Sequence, residues 1–581
     1  LNTRKEGEMG LILHGVPIGS GIAIGVAHRL SHSMGDVSHY SIEATDLESE
    51  LLRFDDAISA TVAELETLSA SIQSNAPADL AAFLSMHIQM LMDESLSLEP
   101  KNIIKKQLCN AEWALKLQRD DLVAQFEAME DAYLRERQQD VKQVTERIFK
   151  ALSGVTPSLP ESTEDRPIIL VAHDLSPADM VFFKAAQLAA FITDVGGVTS
   201  HTAILGRSLE APSVIALHHA GALIRDDEWI IVDGEQGVVV VHPDEQTLAH
   251  YRQRQTEWLA ANLALASLTH LPATTQNGET AVLLGNIEMP DDVPDVLAAG
   301  GEGIGLFRSE FLFLNRDTLP TEEEQFLIYK QVIEAVAPHP VTIRSMDLGA
   351  DKSPRWMAYG QVENPALGLT GLRLCLAEPL LFRTQLRAVL RAAAFGRVRL
   401  LLPMVTCVQE LKLFHLQLTL AKEELDKLGM ATGLVDVGAM IEIPAAALMV
   451  RSFFPYVDFI SIGTNDLIQY LLATDRNDDA VRHLYDSAHP AVIQLLAQVI
   501  QAALAANVEV GICGEMGGDT RYSRLLFGMG LRRYSMHPSR LLAVKSCLRQ
   551  FNAALHAPLI ATLLQEHDRA AIEAGLSLLN A

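Results

Sequence analysis

Cysteine is scarce and dispersed. The 581 residues hold five, Cys109, Cys375, Cys407, Cys513 and Cys547, and no CxxC pair. An odd count at such wide spacing excludes a disulfide framework and a zinc site built on paired thiolates, and it fits a reducing cytoplasm. Long apolar runs are missing as well. None reaches the ~18 residues of a membrane span. The nearest, from Leu11 to Ala27, is interrupted by His14, Pro17 and several glycines, and reads as strand and turn rather than as a signal peptide. Positive charge is in short supply, with 46 Lys and Arg against 73 Asp and Glu, a net charge of -27. Such a chain has no general basic surface for nucleic acid, so any anion site must be a local cluster of Arg and Lys. No GxxxxGK[ST] phosphate loop occurs. Glycine all but vanishes between Ala44 and Leu152. What remains is ordinary globular composition, 49% apolar and 20% charged, at a length sufficient for several domains. Residues 1 to 8 precede Met9 and read as a cloning remnant or an upstream extension.

The glycine-poor region is helical by its pattern. Apolar residues recur at helical spacing from Asp46 to Ile72 and from Ala111 to Leu152, which predicts a helical bundle or a pair of hairpins. Between the two runs lies FLSMHIQMLMDE, Phe83 to Glu94, where methionines beside a histidine make an adaptable apolar face. Either side of this region the texture is that of alternating strands and helices. IILVAHDL, AAFITDV, PSVIAL and WIIVDGEQGVVVV are strand candidates, and residues 11 to about 30 read as a first strand pair. The expected first domain is therefore an α/β unit of residues 11–43 and 156–243, with residues 44–155 inserted as a helical domain. Residues 244–271 follow as a linker helix free of Gly and Pro through Leu268.

One stretch in the α/β unit stands out: GGVTSHTAILGR, residues 196–207. It reads as strand, glycine turn and helix, with Thr199, Ser200 and His201 at the helix entry. Backbone amides at a helix N-terminus favour an anion. An imidazole there can act as a covalent nucleophile towards a phosphoryl group. It can equally cap the helix, and the residues alone leave both readings open.

The second half, residues 272–556, has the length of a barrel domain. Seven short apolar runs recur, AVLLGNI, EGIGLF, VTIRSMD, RVRLLLPMV, DVGAMIEI, VDFISIGTND and EVGICGE, separated by helical segments. Repeated βα units predict a parallel sheet or a (β/α)8 TIM-like barrel. Polar residues stand where the runs finish: Arg308, Arg344 and Asp347, Glu442, Asn465 and Asp466, Cys513 and Glu515. In a barrel those strand ends share one face. Arg308, Arg344, Lys352 and Arg476 supply cations that match carboxylate and phosphate oxygens. Glu442 and Asp466 are hard oxygen ligands suited to Mg²⁺. Cys513 is a thiol placed to act as a general acid. Residues 557–581 read as a C-terminal helical tail.

These segments resemble Enzyme I, the phosphoenolpyruvate-protein phosphotransferase family of bacterial sugar uptake systems. GGVTSHTAILGR resembles its phosphohistidine motif. GIGLFRSEFLF, LPTEEEQF, RSMDLGADK, ENPALG, IEIPAAA, DFISIGTNDLIQYLLATDRND, LYDSAHPAV and GICGEMGGD look like its segments, in order, from about residue 11 to about residue 550. The resemblance implies a swivelling phosphohistidine domain in which His201 is phosphorylated. It implies a helical insert that docks the phosphocarrier protein HPr, with His87 and Met90 as contacts, and a barrel that binds phosphoenolpyruvate and forms a homodimer. Carried over position by position, Arg308, Arg344, Lys352, Asn465, Asp466 and Arg476 bind the substrate. Glu442 and Asp466 hold Mg²⁺, and Cys513 protonates the enolate to give pyruvate. The chain departs from the expected pattern at Val198, Gly206, Ser345 and Thr370. The other readings are a nitrogen-related Enzyme I paralogue and a regulatory homologue with weak turnover. A dikinase or a phosphoenolpyruvate synthase is disfavoured, since either needs a nucleotide-binding domain.

Overall fold

A computed structural model describes residues 11–30, 37–71, 78–128, 132–153, 166–175, 188–196, 211–314, 318–349, 364–476, 478 and 480–581. The chain divides into two compact units, Leu1–Ala261 and Asn262–Ala581.

The first unit is built on an eight-stranded sheet. Its strands are β1 (Leu11–His14), β2 (Val16–Gly19), β3 (Ile22–Arg29), β4 (Ile168–Ala172), β5 (Ala190–Thr193), β6 (Ser213–Ile215), β7 (Trp229–Asp233) and β8 (Val238–Val241). They lie in the order β1-β8-β7-β3-β4-β5-β6-β2. The centre, β3-β4-β5-β6, is parallel, and its strands β4, β5 and β6 are buried throughout, which explains their unbroken apolar runs. The opening segment differs from the expected strand pair. It holds three strands, none paired with another: β1 pairs with β8, β2 with β6, and β3 with β4 and β7. Gly15 alone separates β1 from β2, yet they are the two edges of the sheet, so the sheet must curl until its edges meet. A Cβ on Gly15 would stand 2.4 Å from the Ile215 carbonyl oxygen, too close for any other residue. The run WIIVDGEQGVVVV is a hairpin, not one strand, turning at Gly237 with φ +67°.

Between β3 and β4 the helices Leu47–Ser71, Ala78–Met92, Glu94–Ser97, Glu99–Gln107, Ala111–Glu127 and Ala132–Ser153 share a separate core, including Phe54, Leu65, Leu91, Ile104, Leu115 and Ile148. His87 belongs to the interior. It is fully buried, with Nε2 3.8 Å from Asp140, so the expectation that it contacts a partner is corrected. The apolar face it lies on is packed inward. Met90 is half-buried against the same core.

Helix Glu245–Ala266 begins on the sheet. Tyr251 joins Ile22, Ile24, Ile231 and Val240 in an apolar cluster, and Arg254 Nη1 lies 2.6 Å from the buried carboxylate of Asp233. The division between the units falls within its last turns.

The second unit is a closed barrel. A short strand β9 (Ala273–Thr274) precedes β10 (Thr280–Ile287), β11 (Ile304–Arg308), β12 (Val341–Arg344), β13 (Val398–Leu402), β14 (Val435–Ile441), β15 (Phe459–Ile462), β16 (Glu509–Ile512) and β17 (Arg533–Met536). Strands β10 to β17 are all parallel, and β10 pairs with both β11 and β17, which closes the ring at eight. Seven of these were expected. The eighth, RYSM, carries too few apolar residues to announce itself. Helices alternate with the strands, among them Glu322–Val336, Pro379–Ala392, Val408–Lys427, Thr464–Leu472, Pro490–Ala505 and Thr520–Gly528. The first of these starts on a capping box, Thr321 with Glu324, which is the physical content of LPTEEEQF. The C-terminal tail is also helical, and Arg569–Asn580 buries Ile572, Leu576 and Leu579. Among the described residues no helix is long and apolar enough to cross a membrane.

Candidate active site at the C-terminal end of the barrel

Each barrel strand delivers its last inward-facing residue to one rim, and the rim is where the charged residues collect. Arg308 ends β11 and pairs with Glu288 just past β10, Nη1 to Oε1 2.8 Å. Arg344 ends β12 and is buried. It forms a close ion pair with Glu310, and its Nη1 stands 3.1 Å from Asp347. Burial opposes its charge, but the carboxylates of Glu310, Asp347 and Glu442 outweigh that and hold the guanidinium protonated.

Glu442 follows β14 and is 1% exposed. One carboxylate oxygen accepts a 2.6 Å hydrogen bond from the Met404 amide, past the end of β13. Burial raises its pKa well above 4.5, the like charges of Asp466 and Asp347 push it further, and Arg344 only partly opposes them. Asp466 lies in the first turn of helix Thr464–Leu472, with Oδ1 3.6 Å from Arg476. Asn465 is locked against the neighbouring strand end: its amide donates to Glu515 Oε1 at 3.1 Å, and its Oδ1 accepts from the Glu515 amide at 2.8 Å. The buried Nη1 of Arg476 has no hydrogen-bond partner among the described residues.

Cys513 follows β16 and is 3% exposed. Its thiol lies 3.7 Å from the Ile462 carbonyl oxygen. Burial pushes the thiol up to about 11, and Glu442 adds to that, while Ser461, Arg344 and Arg308 favour the thiolate. A thiol so placed keeps its proton at neutral pH and has cations within electrostatic reach. Electrostatic interactions therefore join Cys513 to Glu442, Arg344 and Arg308, and Glu442 to Asp466, while Arg476 pairs with Asp466.

The donor set suits a hard divalent cation. Two carboxylates, one buried and repelled by the other, are short of positive charge, and Mg²⁺ is held in this way by one or two carboxylates with phosphate and water completing its shell.

Residue-pattern reasoning passed over Glu310 and Asn286. Glu310 is 2% exposed and is the main counter-charge of Arg344. Its signal was a carboxylate two residues beyond a strand-end arginine in an otherwise apolar stretch. Asn286, inside β10, donates to the Cys513 carbonyl oxygen at 3.1 Å. Lys352 and His201 lie outside the described residues. The described chain leading towards His201 ends at Gly196, with φ +123°. Near it Asp194 accepts from the Gly221 amide at 3.2 Å and faces His173 at 3.6 Å. Thr370 is buried before helix Gly371–Ala377, and Ser345 is buried in the barrel wall.

Three family models match the chain: "PEP-utilising enzyme, N-terminal" over residues 14–137, "PEP-utilising enzyme, mobile domain" over 164–237, and "PEP-utilising enzyme, PEP-binding domain" over 263–553. The chain is 48% identical over 572 residues to the phosphoenolpyruvate-protein phosphotransferase of Cupriavidus necator, covering 96% of this chain and 98% of that one. It is 39% identical over 535 residues to the protein of that name from Bacillus subtilis, covering 92% and 93%. A solution structure of Enzyme I (nEIt) matches at 32% identity over 42% of this chain and 99% of that one, with a TM-score of 0.35.

Proposed function

The chain belongs to the phosphoenolpyruvate-protein phosphotransferase family, and from that premise we propose that it transfers the phosphoryl group of phosphoenolpyruvate to His201, releases pyruvate, and passes the group to a histidine of HPr. The observation that carries this reading is the cluster of strand-end charges in which Arg344 interacts with Glu442, Glu442 with Asp466, and Arg344 and Arg308 with a protonated Cys513. A small phosphorylated carboxylate answers each of these groups.

The arginine forks bind the substrate's carboxylate and phosphate oxygens, and Asn465, Arg476 and Lys352 fix its orientation. Glu442 and Asp466 would hold Mg²⁺, which would supply positive charge to the phosphoryl oxygens during transfer. His201 attacks phosphorus in line. The bond from phosphorus to the enol oxygen breaks, and its electron pair stays on that oxygen. Cys513 then gives its proton to C3 as the enolate becomes the ketone, and burial suits it to this task because it holds the proton until the enolate forms. Phosphorylated His201 departs on its own domain to meet HPr. The helical insert is the docking domain. Since His87 is buried, its contacts must come from other residues there. A cytoplasmic homodimer, joined through the barrel unit, completes the reading.

Labelled phosphoenolpyruvate with Mg²⁺ should leave an acid-labile, base-stable label on His201, chased off by HPr. Label on another residue, or none, refutes the assignment. Cys513→Ala should slow pyruvate formation by on the order of a hundredfold or more.

A further inference from the structure

Beneath the rim the barrel is not filled. A cavity of about 20 Å³ lies between the interior side chains, room for one water. The hydroxyl-bearing residues Thr342, Ser461 and Ser535, from β12, β15 and β17, line it. So do Glu509 and Arg533 at the opposite end of the barrel, which form an ion pair at 3.2 Å. The Glu509 side chain is 42% exposed, so this wall of the cavity reaches solvent. Gly511 lines the cavity too, and a Cβ there would meet nothing nearer than 3.5 Å, so the space is left by the missing side chain.

On the opposite wall, Ser461 leads towards the thiol. In the β15–β16 register Ser461 stands beside Gly511, and Gly511 and Cys513 are two residues apart, so Ser461 and Cys513 both point into the barrel. The amide of Cys513 donates to Ile462 at 3.0 Å, and its thiol lies 3.7 Å from the same carbonyl oxygen, one residue from Ser461. A second polar thread runs from the Cys513 carbonyl oxygen through Asn286 to Ser535, on the cavity wall.

We propose that this cavity and Ser461 form a proton path that recharges Cys513 from the N-terminal end of the barrel, while substrate and product occupy the other end. The inference rests on the reading of Cys513 as the acid. Each turnover breaks its S–H bond as the C3–H bond of pyruvate forms. The thiolate then takes the Ser461 hydroxyl proton, Ser461 takes one from the water in the cavity, and that water takes one from bulk past Glu509. Charge and protons balance without any other reactant. A path at the far end removes the need to open the active site for reprotonation.

The test follows wash-in of deuterium from D2O into the methyl group of pyruvate by NMR, on the full chain with Mg²⁺, against the rate of His201 phosphorylation. Ser461→Ala removes the hydroxyl, and Gly511→Ala puts a methyl group into the water's place. Each should lower the ratio of exchange to phosphorylation by on the order of tenfold, and Ser461→Thr should restore it. Ratios unchanged in both alanine variants, with exchange abolished in Cys513→Ala, overturn the path alone. Full exchange in Cys513→Ala overturns the thiol assignment and the path with it.

Discussion

The two ends of the barrel hold similar residues in opposite condition. At the N-terminal end Arg399 forms a close ion pair with Glu509, Arg533 shares that carboxylate, and the Arg399 guanidinium lies 3.7 Å from the centre of the Phe459 ring. Cation and anion meet there, partly in water. At the C-terminal end Glu310, Asp347, Glu442 and Asp466 gather around Arg344, and Glu442 is buried among like charges. One fold thus satisfies its charges at one end and leaves carboxylates crowded together at the other, the end where the proposed site lies.

The comparison is sharpest when the same change is made at both ends. Arg344→Met strands the Glu310 carboxylate, 2% exposed, without its counter-charge, and should cost about 3–5 kcal/mol in urea unfolding of the apo chain. Arg399→Met leaves Glu509 in partial contact with water and still beside Arg533, so the loss should be near 1 kcal/mol or less. Equal losses would mean that the two ends do not differ in the way described. Turnover should collapse in the first variant and survive in the second.

A smaller effect separates two glycines on the same stretch of chain. A Cβ on Gly514 would lie 2.0 Å from Thr464 Oγ1 and 2.6 Å from the Thr464 amide nitrogen, beside the Asn465 that grips Glu515. Gly514→Ala should therefore destabilise by about 1–3 kcal/mol and disturb the rim. Gly511→Ala meets only Arg533 at 3.5 Å and should change the midpoint of thermal unfolding by no more than a degree or two, since ~1 kcal/mol moves it only a few degrees. A larger shift at Gly511 than at Gly514 would show that the cavity is not the available space it is taken for.

Much of this was legible in the chain. Five of the seven strand runs finish in Arg, Glu, Asn, Asp or Cys and foretold one rim, because alternation and a parallel ring leave those ends nowhere else to go. The eighth strand escaped because Arg533 and Ser535 face a polar interior, so RYSM lacks the apolar pattern that marked the rest. His87 misled for a related reason: helical spacing identifies a face but not whether it meets a partner or its own core. Glu310 stayed hidden because its value lies in a contact 34 residues away, to Arg344, which only the fold creates. The cavity is lined by residues from most of the barrel strands, and no single segment records it.

The finest test of the contrast is the acid limb of stability. Glu442 has its folded pKa raised above 4.5 by burial and by Asp466 and Asp347, so between 4.5 and that higher value the folded chain holds a proton that the unfolded chain has lost. Folding stability from this group must then fall as pH rises through that window, with a slope of at most about 1.4 kcal/mol per pH unit. Glu442→Gln keeps an oxygen for the Met404 amide and removes the charge. With Mg²⁺ chelated, urea midpoints taken from pH 5 to pH 8 should show the variant gaining on the parent chain as pH increases, and the gain should disappear towards pH 4.5. Adding Mg²⁺ should stabilise the parent and not the variant, reversing their order. A difference that stays constant with pH would mean that the Glu442 carboxylate is already compensated, and the asymmetry between the two ends of the barrel would lose its chief support.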